Sequence, residues 1–394
     1  MNDVLITGLG VLSHLGSGLD AFWAGLTAAR SAPSRVPDPD ARMDLPLMYA
    51  VPEADLPPVP GDLGGLPPGG GSRLAIEAAR QAVNDAGLGG VAPDRIAVVI
   101  GTGMGDSGLH ERWRTTGRPE GGHWAPVFSV ASAVGAWLGA EGANVSVSNA
   151  CAASGFGLSL AVDLIRTGEA DVVVAGGAEA YSRVALACFN RLGAIDPERC
   201  RPFDLHRRGT LFGEGAGVMV LESAAHARAR HAPRAYARVA GAGWSCDAHH
   251  ATAPEPTGTQ IARAMREALA EAGASPDEIG CVVPHGTGTE LNDTVESRVL
   301  GEVLGAGPDR VPLYSLKALL GHTGGAAASL ATVAAAQILY RGAVPPNAAL
   351  GEQDPECKVW LPTRSVPPSG KYALVNAYAF GGNNVSLVLR EAGI

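Results

Sequence analysis

Short apolar runs closed by glycine punctuate the chain. Val4–Thr7, Ile96–Ile100, Val145–Ser148, Val172–Ala175 and Gly217–Leu221 stand in the first part. Ala237–Gly241, Cys281–Pro284, Leu313–Ser315, Leu374–Asn376 and Val385–Leu389 stand in the second. Runs this continuously apolar suit strands covered on both faces, not a sheet with one wet side. Between several of them, apolar positions recur at helical spacing over Arg73–Ala86, Gly155–Thr167, Thr259–Ala272, Asp293–Leu304 and Gly324–Arg341. Alternating strand and helix predicts an α/β protein. Residues 35–71 differ: they are rich in Pro, Gly and Asp and end in PPGGGS. They read as a long surface excursion, because no complete α/β unit precedes them.

The order of elements repeats. IAVVIGTG, VSVSNACAASGFGLSLAVDLI, DVVVAGGAEA and GAGVMVLES are followed by CVVPHGTGT, LYSLKALLGHTGGAAASLATVAAAQIL, YALVNAYAFGG and NVSLVLRE. The offset is roughly 170 residues, the signature of a duplicated domain. The chain therefore divides into halves, residues 1–234 and 235–394, whose corresponding loops surround one axis. That arrangement brings Cys151, His285, Lys317 and His322 within reach of one another.

Composition narrows the class. Of 394 residues, 46% are hydrophobic and 18% charged, enough to bury a large core and too apolar for a disordered chain. Lys and Arg number 30 against 39 Asp and Glu, a net charge of −9 that repels phosphate backbones and argues against nucleic acid as a partner. Six cysteines lie scattered with no C-x-x-C pair, so neither a zinc knuckle nor a thioredoxin motif is predicted, and no metal site. Scattered free thiols suit a reducing compartment. MNDVLITGLG lacks a basic n-region, and the most apolar window, Gly324 to Tyr340, falls short of the ~20 residues of a membrane span. A cytoplasmic protein that does not enter a membrane is expected.

Three residues stand out chemically. Cys151 lies in SNACAASG, between a strand and a helix. Free amides and the dipole at a helix N-terminus lower a thiol pKa, and a tight turn exposes the sulfur. The competing reading, a buried structural thiol, is kept for the other five cysteines. His285 in VVPHGTGT and His322 in SLKALLGHTGG follow strands in Gly-rich loops, and Lys317 lies five residues before His322. Such positions face the crevice where α/β ligands bind. One histidine there is most often structural; two beside a thiol are a site. A thiolate takes an acyl group from another thioester. Neutral imidazoles hydrogen-bond a thioester oxygen and stabilise the enolate formed as CO2 leaves a malonyl group. A fixed Lys ammonium beside one imidazole keeps it neutral. Backbone amides in AFGGNN offer an oxyanion hole. Gly103-x-Gly105-x-x-Gly108 formally matches a dinucleotide fingerprint, but no acidic residue closes a second strand downstream, and that reading fails.

The motifs together resemble a β-ketoacyl synthase with a Cys-His-His site, the condensing enzyme of dissociated fatty-acid and polyketide pathways. The markers are ACAASG with Cys151, RPFD through GEGAGVMVLE over 201–222, HGTGT at 285–289, K-x-x-x-G-H at 317–322, and FGGNN at 380–384. The resemblance covers essentially the whole chain. It implies a thiolase-like duplicated α-β-α-β-α five-layer sandwich, usually dimeric, paired with itself or with a homologous chain-length-factor subunit. It implies Cys151 as the acylated nucleophile, His285 and His322 as promoters of malonyl decarboxylation, and Lys317 as the residue holding His322. The amides of Cys151 and Phe380 would form the oxyanion hole, Phe380 would gate the thiol, and Thr287 and Thr289 would line the phosphopantetheine arm of an acyl carrier protein. No other cofactor is implied. His322, where CoA-primed relatives carry Asn, favours carrier-bound substrates.

Departures from the family pattern are Ala379 before the gating Phe, Ala331 nine residues after His322 where many relatives carry Glu, Pro284 before His285, and a short stretch from Gly101 to Val145. They lean toward a polyketide-type or specialised enzyme over a housekeeping 3-oxoacyl carrier-protein synthase. A non-catalytic chain-length-factor-like subunit is the rival, disfavoured by the presence of Cys151. A degradative thiolase needs a second catalytic cysteine in a Gly-rich loop, which is lacking. An acidic carrier protein needs a local basic patch on this acidic chain. Arg191, Arg199, Arg201, Arg207 and Arg208 crowd one stretch and are the candidates, with Arg201, Arg207 and Arg208 foremost.

Overall fold

Most of the apolar runs become strands covered on both faces; Asn144–Val147 is only partly covered, and Ala237–Cys246 is fully buried at alternate positions only. The computed structural model describes residues 3–58, 63, 65, 68–117, 125–305 and 310–393. Its main sheet contains β1 (Val4–Ser13), β2 (Ile96–Gly101), β3 (Asn144–Val147), β4 (Val172–Glu179), β5 (Gly215–Ser223), β6 (Ala237–Cys246), β7 (Ile279–Val283), β8 (Tyr372–Ala379) and β9 (Asn383–Glu391). The order is β7-β8-β9-β6-β1-β5-β4-β2-β3, and the two-residue strand Gly16–Ser17 folds back on β1.

Read outward from the β1–β6 seam, the halves match. β5 runs antiparallel to β1 and β4, and β9 runs antiparallel to β6 and β8. β4 with β2, and β8 with β7, are parallel. The seam itself is narrow, pairing Val4 with Val239, Leu5 with Arg238 and Ile6 with Ala237. One expected strand is missing. Leu313–Ser315 touches β7 through a single parallel bridge, Val282 to Leu313, in the place that β3 takes beside β2. Its Tyr314 amide donates to Val282 O at 2.8 Å, but the amides on its other side meet no further strand: Leu313 donates to the Trp360 carbonyl at 2.8 Å and Ser315 to Asn347 Oδ1 at 2.7 Å.

Alternate residues of one strand serve two cores. Val98, Ile100, Val174 and Val218 face an outer core with helix α1 (Gly70–Ala86). Ala97, Val99, Val173 and Met219 face an inner core shared with α2 (Ala153–Arg166) and α3 (Ala327–Arg341). In the second half Val282, Leu374 and Val388 face an outer core with α4 (Thr259–Ala272) and α5 (Glu290–Leu304), while Val283, Val375 and Leu387 face the same inner core. Helix, sheet, helix pair, sheet, helix is the five-layer, thiolase-like arrangement. Each fully buried Val or Leu contributes about 1.5–3 kcal/mol, so the strands buried on both faces hold the layers together.

The outer helices lie close enough to require glycine. A Cβ at Gly10 would stand 1.9 Å from the Ala78 carbonyl oxygen on α1. The matching position in the second half, Gly243, would bring a Cβ to 2.0 Å from the Ala264 oxygen on α4.

The excursion at 35–71 is not merely surface. Met48 and Tyr49 are fully buried, and Leu47–Tyr49 pairs in parallel with Phe212–Gly213 under the His322 loop. Its apolar L-M-Y triplet overrides the Pro- and Gly-rich context around it. Residues 59–62, 64, 66 and 67 of it lie outside the described residues. The short 101–145 stretch carries helices Ser107–Thr116 and Ser129–Leu138, and residues 118–124 likewise lie outside. Among the described residues no helix is long and apolar enough to cross a membrane.

Candidate active site

Strand β3 delivers the thiol. It ends at Val147, and a short 3-10 turn, Ala150–Ala152, leads into α2. Ala150 is held at φ +47, a left-handed conformation rare for a residue with a Cβ. The turn turns Cys151 toward a 380 Å³ pocket that opens to the surface, and leaves the residue 9% exposed.

The expectation of an acidic thiol is corrected here. Burial pushes Cys151 up to about 12, and Glu179 adds to this. Lys317's charge and the amides of Cys151 and Phe380, which both reach the sulfur, oppose the rise without cancelling it. The helix terminus is local, whereas desolvation comes from the whole surrounding fold. The sulfur rests as a thiol. The same two amides are placed to receive an oxyanion.

His285 and His322 line the pocket beside Cys151, at 4% exposure each. Their rings meet edge to face with centroids 5.4 Å apart. Burial first, then the Lys317 ammonium and His322, hold His285 well below the usual imidazole value. Burial and Lys317 do the same for His322. Both rings are neutral at pH 7. Backbone bonds fix the His322 loop: its amide donates to Leu211 O at 2.7 Å and its carbonyl accepts from Gly213 at 3.0 Å.

Lys317 serves the other histidine from the one expected. Its Nζ donates to the His285 carbonyl and stands 3.4 Å from His285 Nδ1. The short helix Lys317–Leu320 sets its first side chain against the loop after β7 that carries His285. An ammonium only donates, so His285 Nδ1 accepts and its proton sits on Nε2. Burial lowers the Lys317 pKa below the usual ammonium value, and Glu296 opposes that.

Sequence reasoning missed the carboxylates that hold these loops. Glu296 accepts from the His285 and Gly286 amides, at 2.8 Å each. Burial raises its pKa to about 7. Asp293 accepts from the amides of Phe203 at 2.9 Å and Thr287 at 3.0 Å. The available signal was two acids three apart on α5, immediately after HGTGT, which share one helix face. Glu179, at the end of β4, accepts from Gly103 and Gly325 at 2.7 Å each and from Met104 at 3.0 Å. That accounts for the first glycine of the false dinucleotide fingerprint, whose amide meets a carboxylate.

Thr287 and Thr289 line the pocket, their hydroxyls 2.8 Å apart. Phe380 lines it too and stacks on Phe189, centroids 5.6 Å apart. Ala379 stands in extended backbone, φ −139, which alanine adopts without strain. Ala331 is buried in the inner core among apolar neighbours. Asn149 and Asn383, not singled out in the sequence, connect the thiol turn to the Phe380 turn.

The arginine expectation divides. Arg207 is buried and paired with Asp354 at 2.6 Å, with Asp293 3.5 Å from its Nε, so it cannot dock a partner. Arg201 is held by Asp196 at 2.8 Å and Glu198 at 3.0 Å. Neighbouring acids of the same segment neutralise Arg201, and distant ones neutralise Arg207. Arg208 is exposed at the pocket mouth, and Arg191 is exposed nearby. Neither has an acidic partner among the described residues.

Comparison with known proteins agrees with this geometry. The β-ketoacyl synthase N-terminal domain matches residues 69–227 and the C-terminal domain residues 236–350. Nodulation protein E of Rhizobium meliloti (strain 1021) is 34% identical over 98% of this chain and 99% of that protein. The oxytetracycline polyketide putative beta-ketoacyl synthase 1 of Streptomyces rimosus is 35% identical over 99% of this chain and 97% of that protein. The solved ishigamide ketosynthase/chain length factor superposes with a TM-score of 0.90 at 35% identity, covering 100% of both chains. A thiol, two neutral imidazoles and a pair of convergent amides in one pocket, on a duplicated five-layer fold with these relatives, place the chain in the β-ketoacyl synthase family of condensing acyltransferases.

Proposed function

We propose that this chain is a type II ketosynthase of polyketide or specialised fatty-acid synthesis. It joins an acyl group held on Cys151 to malonyl carried by an acyl carrier protein, in the cytoplasm. The observation that carries the reading is the convergence of Cys151, His285 and His322 on one open pocket, with the amides of Cys151 and Phe380 at the sulfur.

In the first step Cys151 Sγ attacks the carbonyl carbon of an acyl thioester. The oxyanion lies between the two amides, where preorganised donors stabilise developing charge. The new C–S bond forms as the bond to the pantetheine sulfur breaks, and the proton leaving Sγ ends on that sulfur. In the second step malonyl thioester enters, with its pantetheine arm along Thr287 and Thr289. N–H groups of the His285 and His322 rings hold the thioester oxygen. The bond to the carboxylate breaks, CO2 leaves, and the enolate carbon attacks the acyl carbon. Sγ departs and takes up a proton. Neutral imidazoles are what this needs, because a donor to an enolate must not surrender its proton. No cofactor beyond the pantetheine arm takes part.

For the carrier protein, Arg208 and Arg191 supply positive charge, and Leu192 and Leu291, 47% and 61% exposed, supply apolar contact at the same mouth. The chain works in a dimer, with a second copy or a homologous chain-length-factor subunit.

The test is intact-protein mass spectrometry after incubation with acyl and malonyl carrier proteins. An acyl adduct on wild type, absent in Cys151→Ala, followed by β-ketoacyl product on the carrier, supports the reading. A wild-type chain that takes no acyl group from any carrier thioester ends it.

A further inference from the structure

The oxyanion hole consists of two amides on separate turns. The Cys151 amide belongs to the turn after β3, and the Phe380 amide to the turn between β8 and β9. Their spacing depends on what ties the turns together. The backbone of the second turn does not fix it, because Gly381 and Gly382, at φ 81 and 76, follow Phe380 directly. Glycines in this region have more alternatives than any other residue.

Outward, the second turn is tied to the pocket rim. The Gly381 amide donates to Ala251 O at 2.8 Å, and the Asp247 amide to Gly382 O at 2.9 Å. Neither bond reaches the thiol. Inward, one side-chain path does. Asn149 Nδ2 donates to Asn383 Oδ1 at 3.3 Å, and Asn383 Nδ2 donates to the Phe380 carbonyl at 3.2 Å. The second bond fixes the polarity of the first: only the amide nitrogen can donate to a carbonyl, so the Asn383 oxygen must face Asn149. Asn149 is itself held in the thiol turn, its carbonyl accepting from the Ala152 amide at 3.1 Å. A carboxamide carries a donor and an acceptor on one rigid plane, which a hydroxyl matches only at shorter reach.

We propose that Asn149 and Asn383 form a side-chain clamp that sets the spacing of the two oxyanion-hole amides, making both of them positioning residues for thioester attack. The clamp rests on the ketosynthase reading. It acts most where a carbonyl oxygen gains charge, so it matters more to acyl transfer onto Cys151 than to reactions of the sulfur that form no oxyanion.

That distinction supplies the test. Acylation of Cys151 by an acyl carrier thioester and alkylation by iodoacetamide are timed for wild type, Asn149→Ala, Asn383→Ala and the double variant. Alkylation is a displacement at a saturated carbon that forms no oxyanion, and it feels the two amides only through the hydrogen bonds they give the sulfur. Loss of one hydrogen bond from the transition state lowers acylation about fivefold in each single variant. Alkylation falls less than acylation, and the double variant acylates no more slowly than the worse single, because one link has been cut twice. Asn383→Asp keeps the shape and the acceptor toward Asn149 but faces the Phe380 carbonyl with oxygen. It should match Asn383→Ala, and covers the case of an alanine variant that does not fold. Unchanged acylation in the variants, equal losses of acylation and alkylation, or additive losses in the double variant overturns the clamp while leaving the ketosynthase reading intact. A wild type that alkylates but never acylates overturns both.

Discussion

Replacing Lys317 with methionine removes a charge and keeps the length of the side chain. Lys317 makes two contacts with His285, one to its carbonyl and one at 3.4 Å to Nδ1. The first braces the loop, which Glu296 also holds through two amides at 2.8 Å. The second fixes the tautomer, so its loss falls on chemistry rather than folding. A hydrogen bond from a charged group contributes about 1.5–3 kcal/mol, which converts to a 10- to 150-fold loss in the rate that depends on it, at roughly 1.4 kcal/mol per decade. The stability cost is smaller. Glu296, already near 7 through burial, takes up a proton once the cation is gone and leaves no bare charge. The assay separates two half-reactions: release of CO2 from malonyl carrier protein, and acylation of Cys151 from an acyl carrier protein. Lys317→Met should lower the first by this factor and the second far less. It should also abolish an alkaline limb in the wild-type decarboxylation rate. The Lys317 pKa lies below the usual ammonium value, and the activity it supports is lost as pH rises through it. Decarboxylation that is unchanged in Lys317→Met, or an alkaline limb that persists, refutes the assignment of Lys317 to His285.

Three further outcomes follow from the geometry. Alkylation of Cys151 by iodoacetamide should accelerate about tenfold per pH unit without a plateau below pH 9, because burial holds the thiol near 12; a plateau near neutrality, read by mass spectrometry, contradicts this. Arg208→Glu should raise KM for the carrier protein and leave the melting temperature alone, whereas Arg207→Glu leaves Asp354 and Asp293 facing a buried like charge and should destabilise the fold by about 3–5 kcal/mol in denaturant titration. Gly243→Ala places a methyl 2.0 Å from the Ala264 oxygen and should cost roughly 1–3 kcal/mol or more as α4 is pushed off the sheet, seen as a lower thermal midpoint.

Much of the scaffold was legible because strands buried on both faces are apolar at every position and say so in sequence. The duplicated order predicted which loops would converge, and Cys151, His285 and His322 do line one pocket. What failed was what depends on distant chain. Thiol acidity looked like a matter of the helix start next to Cys151, but desolvation by the whole fold outweighs it. A run of arginines looked like a surface patch until Asp354, 147 residues from Arg207, came to meet one of them. Lys317 stands nearer in sequence to His322, yet the fold turns it to His285. Leu313–Ser315 has strand composition, but it meets β7 at a single bridge, and Trp360 and Asn347 take the amides on its other side.

Ala150, at φ +47 beside the reactive sulfur, carries a consequence for anyone ranking variants by heat. A left-handed alanine costs about 1–2 kcal/mol, and glycine would relieve it. Glycine also widens the conformational freedom of the unfolded chain, which takes back about 0.4–1 kcal/mol. The second takes back about half of the first, so a melting curve registers only a small gain. The missing methyl would still let the nucleophile wander, and only turnover would reveal that its aim had been lost.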